Sequence, residues 1–206
     1  MKTRLVLLIR YLSWKIRNRK KPKAAEHFLE GQTKLHLACG KNILKEWANI
    51  DLVEAKGVIK HDLTLPLPIQ SRTIKFIFNE HFIEHITRDE AVLFLKECHR
   101  VLLPKGILRI STPNLKKLID EYLLERLSEW TDVGFCPTTP CRMVNDGMRL
   151  WGHKFLYDVN ELENLLKECG FKNITHMPWC KSKYPELDNL ECRPFHGEII
   201  VEASKQ

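Results

Sequence analysis

Two short stretches carry residues whose types and spacing suit the binding of a nucleoside. One is Leu35-His-Leu-Ala-Cys-Gly40; the other is Trp47-Ala-Asn-Ile-Asp-Leu52, which places the Asp51 carboxylate eleven residues after Gly40. An apolar strand that runs into a turn of small residues lets the backbone approach a ligand, and a carboxylate ending the next strand can accept from two ribose hydroxyls. An Asp after a strand can also cap the following turn. No G-x-G-x-x-G follows the first strand, so cradling of a pyrophosphate on a helix N-terminus is poorly supported, and a nucleoside without a diphosphate is favoured. Cys39 reads as a small packing residue, because no Cys-His-acid constellation surrounds it.

A third stretch, His81-Phe-Ile-Glu84-His85, has the H-x-x-E-H spacing in which two histidines bind zinc and the glutamate is the base. That chemistry needs a long helix around the motif and a third ligand on another helix. Here a strand expected over Ile74 to Asn79 leads straight into His81. Cys136 and Cys141, with His153, Cys180 and Cys192 downstream, match no paired-ligand zinc spacing. The expectation is therefore no metal, with a zinc peptidase as the rival reading.

These residues must be positioned by short apolar strands separated by helical stretches, the pattern of a mostly parallel sheet covered on both faces. Strands are expected at about 34–39, 47–52, 57–61, 75–79, 106–111, 171–176 and 197–203. Helices fit Arg88 to Leu102, Asn114 to Leu127 and Val159 to Cys169, the last closed by Gly170. The link between the first two strands is too short for an ordinary crossover helix. Glu129 to Trp151, with Pro137, Pro140 and Gly147, breaks the alternation and reads as an inserted loop over the carboxyl edge of the sheet, where substrate contacts usually lie.

With 206 residues the chain suits one well-buried α/β domain, from about residue 31 onward. The net charge of +7 is a local property: Met1 to Lys23 holds nine basic residues and no acid, leaving 24 basic against 26 acidic residues in the remainder. The body is therefore not a phosphate-seeking surface, which argues against nucleic acid. Leu5, Leu8, Ile9, Leu12 and Ile16 share a helical face, so residues 1–30 read as a basic amphipathic helix that lies on a membrane surface or docks on a partner. Its apolar run is too short to span a bilayer, and no small-residue cleavage site follows it. Seven cysteines without an evident secretory signal point to reduced thiols and a cytoplasmic location, with peripheral membrane contact through residues 1–23.

Taken in order, the motifs resemble those of the class I S-adenosylmethionine-dependent methyltransferases, in their compact form. Leu35–Gly40 and Asp51 are followed by His61-Asp62-Leu63, Leu65-Pro-Leu-Pro68, Phe76 to His85, Arg100-Val-Leu-Leu-Pro-Lys-Gly106, Ser111-Thr-Pro-Asn114 and a Glu-Cys-Gly-Phe171 ending, spanning about residues 34–176. The resemblance implies a Rossmann-like methyltransferase fold with a seven-stranded, mostly parallel sheet and helices on both faces. It implies S-adenosyl-L-methionine as cofactor. Ala38, Cys39 and Gly40 would line the methionine part, Asp51 with Leu52 beside it would hold the ribose, Asp62 and Leu63 would meet the adenine, and Asn79 would close the pocket. His81 would face the pocket, with Glu84 and His85 capping or orienting the following helix. Two positions depart from the family pattern: Ala38 stands where Gly is usual, and Lys105 replaces the first Gly of a Pro-Gly-Gly turn. The implied reaction is methyl transfer to an O or N nucleophile of a small-molecule or glycan/lipid-linked acceptor. Histidine suits a general base near neutrality, which points to His81 and His153. The alternative is an inactive binding protein that keeps the fold.

Overall fold

The structure is a computed structural model that describes residues 31–127, 134–193 and 195–206. The expected N-terminal helix and residues 129–133 of the expected inserted loop lie outside the described residues. Seven strands, β1 (Lys34–Leu37), β2 (Ala48–Asp51), β3 (Val58–Lys60), β4 (Ile74–Glu80), β5 (Leu102–Thr112), β6 (Lys172–His176) and β7 (Ile199–Ser204), form one sheet in the order β3-β2-β1-β4-β5-β7-β6. β1 to β5 pair in parallel, whereas β7 runs antiparallel to both its neighbours. Every expected strand is present, and the strand order reverses beside β1, where β4 begins the second half of the sheet. This is the switch point at which an open α/β sheet leaves a crevice beyond its carboxyl ends.

Helix α1 (Arg88–Val101) follows β4 because the sequence supplies both ends of it. The Thr87 side chain accepts from Glu90 N, and the Glu90 carboxylate accepts from Thr87 N at 2.9 Å, a reciprocal cap. Of the capping or orienting role expected of Glu84 and His85, the cap is corrected: Thr87 and Glu90 supply it. Pro104 cannot continue the helix, and α1 stops at Val101. Its buried face, Ala91, Phe94, Leu95, Cys98 and Val101, packs with Leu162, Leu165 and Leu166 of α4 (Val159–Glu168) against Leu35, Leu37, Ile50, Ile77 and Leu108 of the sheet. On the other face His36 stacks on Phe78, ring centroids 5.0 Å apart, and Leu187 and Tyr184 from the segment before β7 cover Phe76 and Phe78.

Helix α2 (Leu115–Leu123) is shorter than expected, ending at a Leu124 cap. Within the stretch read as an inserted loop, α3 (Pro140–Arg149) is a helix. Pro140 is its first residue, where a missing N–H costs nothing, and the Thr139 side chain accepts from Arg142 N. A proline that reads as a breaker is here a helix start. Gly147 lets α3 approach α2, since a Cβ there would lie 2.7 Å from Leu118 Cδ1.

Candidate functional site

The turn after β1 and the end of β2 are one unit. Gly40 N donates to Asp51 Oδ2 at 2.9 Å, and Val53 N donates to Asp51 Oδ1 at 3.0 Å, so each carboxylate oxygen takes one backbone N–H. Asp51 therefore does cap the following turn, and each oxygen keeps acceptor capacity for a further donor. Cys39 N donates to Ile50 O at 3.2 Å, which holds the turn beside β2. Ala38 and Gly40 both have positive φ, 56° and 54°. Ala38, where the resemblance implies Gly, thus occupies the left-handed region with strain. A Cβ built on Gly40 meets nothing within 4 Å, so open space lies over the turn. Burial and the neighbouring Asp51 push the Cys39 thiol up to about 11, which leaves it protonated and a poor nucleophile at neutral pH.

Leu52 and Val53 beside Asp51 are exposed, an apolar pair next to the carboxylate. His61 N donates to Asp51 O at 2.8 Å and brings the Asp62–Leu63 turn alongside. Asp62 Oδ1 accepts from Thr64 N and Thr64 Oγ1, at 2.9 and 2.6 Å. The Leu63 side chain belongs to the core, so its backbone is the part left for a ligand. Asn79, fully buried at the end of β4, donates through Nδ2 to Leu37 O at 2.8 Å and ties the carboxyl ends of β1 and β4 together. Its Oδ1 is buried and has no hydrogen-bond partner among the described residues.

A cradle with room above Gly40, an acceptor pair at Asp51, an apolar rim at Leu52 and Val53, and an unsatisfied acceptor at Asn79 suit a nucleoside carrying an amino-acid moiety. The residues present therefore fit S-adenosylmethionine.

The second half of the site follows β4 directly. His81, at φ 50°, donates its backbone N–H to Ser111 O at 2.9 Å. Its ring lies between two carboxylates, with Nδ1 3.2 Å from Glu84 Oε1 and Nε2 3.7 Å from Glu198 Oε1. Glu84 is fully buried and accepts from Thr112 Oγ1 at 2.9 Å. Burial opposes its ionisation, but the His81 ring and then the His85 ring outweigh that and hold its carboxyl below the usual range. Residues Ile83–His85 form a single 3-10 turn rather than a long helix. His81 and His85 are thus not one α-helical turn apart, which contradicts the geometry of the zinc-peptidase reading.

His153 comes from the far side of α3. The Glu84 carbonyl accepts from Lys154 N at 2.7 Å and Phe155 N at 3.2 Å, pinning this segment onto the turn after β4. The His85 and His153 rings meet edge to face with centroids 5.0 Å apart, and Trp151 and Phe135 continue the aromatic wall at 5.6 and 5.8 Å. His81 and His153 are thus brought to one wall through Glu84. The meeting of Glu84 and His85 with His153 was not foreseen from the sequence. Each residue stood out singly, but the backbone tie that joins them has no local pattern.

Residues 35–110 match the family model of a methyltransferase domain. No curated protein matches the sequence. Among solved structures, an S-adenosylmethionine-dependent methyltransferase of Thermotoga maritima aligns with a TM-score of 0.52 at 14% identity, covering 97% of both chains. One from Archaeoglobus fulgidus gives 0.52 at 17% identity, covering 93% of both chains. One from Mesorhizobium loti gives 0.51 at 17% identity, covering 88% of this chain and 96% of the other. At these identities the likeness establishes the fold.

Proposed function

We propose that this chain, whose residues 35–110 match the family model of a methyltransferase domain and whose fold is that of solved S-adenosylmethionine-dependent methyltransferases, transfers a methyl group to an oxygen or nitrogen nucleophile of a small-molecule or glycan/lipid-linked acceptor. The observation that carries this reading is the Gly40–Asp51 unit, a carboxylate held by two backbone N–H groups beneath open space. When bound, S-adenosylmethionine supplies an electrophilic methyl on a sulfonium, so the protein's part is alignment and exclusion of water.

In this reading Ala38, Cys39 and Gly40 offer backbone groups to the methionine part, and Asp51 accepts from the ribose hydroxyls. Leu52 lies beside Asp51 at the ribose, Asp62 and Leu63 flank the adenine, and Asn79 Oδ1 takes the donor it lacks among the described residues. His81, ending the carboxyl edge beside Glu84 and Glu198, accepts the proton of a hydroxyl acceptor, while an amine acceptor needs less help. His153 donates through Nδ1 to Gly147 O at 3.0 Å, and its ring packs edge to face on that of His85. Residues 134–151, with Phe135 and Trp151 on the wall of His153, contact the acceptor. The basic segment 1–23 brings the enzyme to an anionic membrane surface, which is the support for a lipid-linked acceptor and for a cytoplasmic, peripheral location.

Transfer of label from methyl-labelled S-adenosylmethionine to fractionated metabolites and lipid-linked glycans tests this reading. Label in a small-molecule or glycan/lipid fraction supports it. Label confined to nucleic acid, or no transfer to any fraction, opposes it.

A further inference from the structure

Glu84, His85 and His153 offer one ligand atom each, and these atoms all lie within 4.8 Å of one another. Among the described residues no other three histidine, cysteine or carboxylate side chains do so. The carboxylate is fully buried and both imidazoles are partly so. The cluster is braced from behind: Thr112 Oγ1 donates to Glu84 Oε2 at 2.9 Å, and the Glu84 carbonyl fixes the backbone after His153. Glu84 Oε1 is buried and receives no hydrogen bond among the described residues, although His81 Nδ1 and His85 Nε2 stand 3.2 and 3.9 Å away. A buried carboxylate oxygen met only by these two ring contacts keeps acceptor capacity for a further partner. His153 contacts the Gly147 carbonyl through Nδ1 at 3.0 Å, a contact that needs the proton on Nδ1 and leaves Nε2 as a lone-pair donor. That is the orientation in which a carbonyl-anchored histidine ligates a metal.

We propose that Glu84, His85 and His153 bind one divalent first-row transition ion. Two imidazoles and one carboxylate suit manganese, iron, cobalt or zinc, whereas magnesium and calcium favour oxygen-only sites. Ligands on one ion stand roughly 3.4 Å apart at tetrahedral positions and at most roughly 4.2 Å apart when trans. Ligand atoms within 4.8 Å of one another therefore need to close by at most roughly 0.6 to 1.4 Å, which rotations of the partly exposed His85 and His153 rings can supply. The site differs from the H-x-x-E-H reading in its third ligand, which is His153 rather than His81. Three protein ligands leave positions open, and an acceptor oxygen held there would lose its proton more readily. Only this role rests on the methyl-transfer reading; the binding itself does not.

The test uses the full chain, stripped with chelator and titrated with Co2+ alone, read by visible absorption and by calorimetry, with S-adenosylhomocysteine titrated in parallel. One saturable Co2+ site is expected, weakened at least about tenfold in His85→Ala and in His153→Ala. It should be retained in His176→Ala, which alters a histidine paired elsewhere with Glu163. Because Glu84→Gln alters a buried group and can fail to fold, the two histidine variants carry the decision. No saturable site, a site indifferent to His85 and His153, or a site lost in His81→Ala but kept in His153→Ala overturns the proposal. S-adenosylhomocysteine binding without Co2+ binding sinks only the metal. Co2+ binding without S-adenosylhomocysteine binding leaves the metal standing and sinks the methyltransferase reading.

Discussion

Gly40 N donates to Asp51 Oδ2 at 2.9 Å, so the carboxylate that ends β2 also closes the turn that ends β1. With the Val53 contact at 3.0 Å, Asp51 is a structural cap as well as the ribose acceptor we assign. Asp51→Ala should therefore lower unfolding stability by about 1 to 2 kcal/mol, read by urea denaturation. A loss below about 0.3 kcal/mol would mean that the two contacts hold nothing.

Arg109 is fully buried in β5, with Nε donating to Glu191 at 2.7 Å and Nη1 donating to Glu202 at 2.7 Å and to the Lys181 carbonyl at 2.9 Å. Arg109→Met leaves two buried carboxylates without their cation, and should cost about 3 to 5 kcal/mol. Adding Glu191→Gln and Glu202→Gln to the same protein should recover part of that loss. An Arg109→Met protein as stable as the parent would contradict this account.

Burial lowers the pKa of His36 to about 4, despite its contact with Asn49 Oδ1 at 3.1 Å. As pH falls, the unfolded chain takes up this proton near 6.5, before the folded protein does. The contribution to stability is thus complete above pH 6.5 and is lost as pH falls towards 4, a difference of about 3 kcal/mol. Burial shifts His61 and His99 in the same direction. In His36→Leu the slope of stability against pH across this window should flatten, since Asn49 Oδ1 still accepts from Leu44 N. An unchanged slope would exclude His36 as its source.

Ala38 and Lys105 sit at φ 56° and 64°, in the left-handed region that favours glycine. Ala38→Gly and Lys105→Gly should each raise stability by up to about 1 kcal/mol, because the relief of left-handed strain exceeds the entropic cost of glycine. Thermal unfolding of the two variants checks this. A fall in Tm for both would mean that neither residue is strained.

Removing residues 1–23 deletes nine basic side chains and leaves the Gly40–Asp51 unit intact. Binding to anionic phosphatidylserine vesicles should fall sharply, at about 1 kcal/mol for each basic residue near the surface. The attraction in the intact chain should weaken with salt, being screened over about 8 to 10 Å. Equal vesicle binding by both proteins would remove the support for a membrane-proximal acceptor.

The sheet was legible because strand signals are local. Leu35, Leu37, Ile50 and Ile77 are apolar runs that fill the core, and the Gly40-to-Asp51 spacing marks one turn and one strand end. Helix α3 was not legible, since Pro140 and Gly147 read as breakers, yet the one starts the helix and the other lets it approach Leu118. The strain at Ala38 depends on a dihedral angle that residue type does not reveal. Glu84 was misassigned for a related reason: the cap signal belongs to Thr87 and Glu90, and the partners of Glu84 come from Thr112 and the far side of α3.

The central claim is that Asp51 and the Gly40 turn hold the nucleoside of S-adenosylmethionine, and calorimetric titration of S-adenosylhomocysteine into the full chain tests it most directly. The account predicts one site per chain, with Asp51→Ala weakening it by about 30- to 150-fold, or roughly 2 to 3 kcal/mol, in a protein that remains folded. No heat with the parent protein, or equal affinity in the folded Asp51→Ala variant, would contradict it.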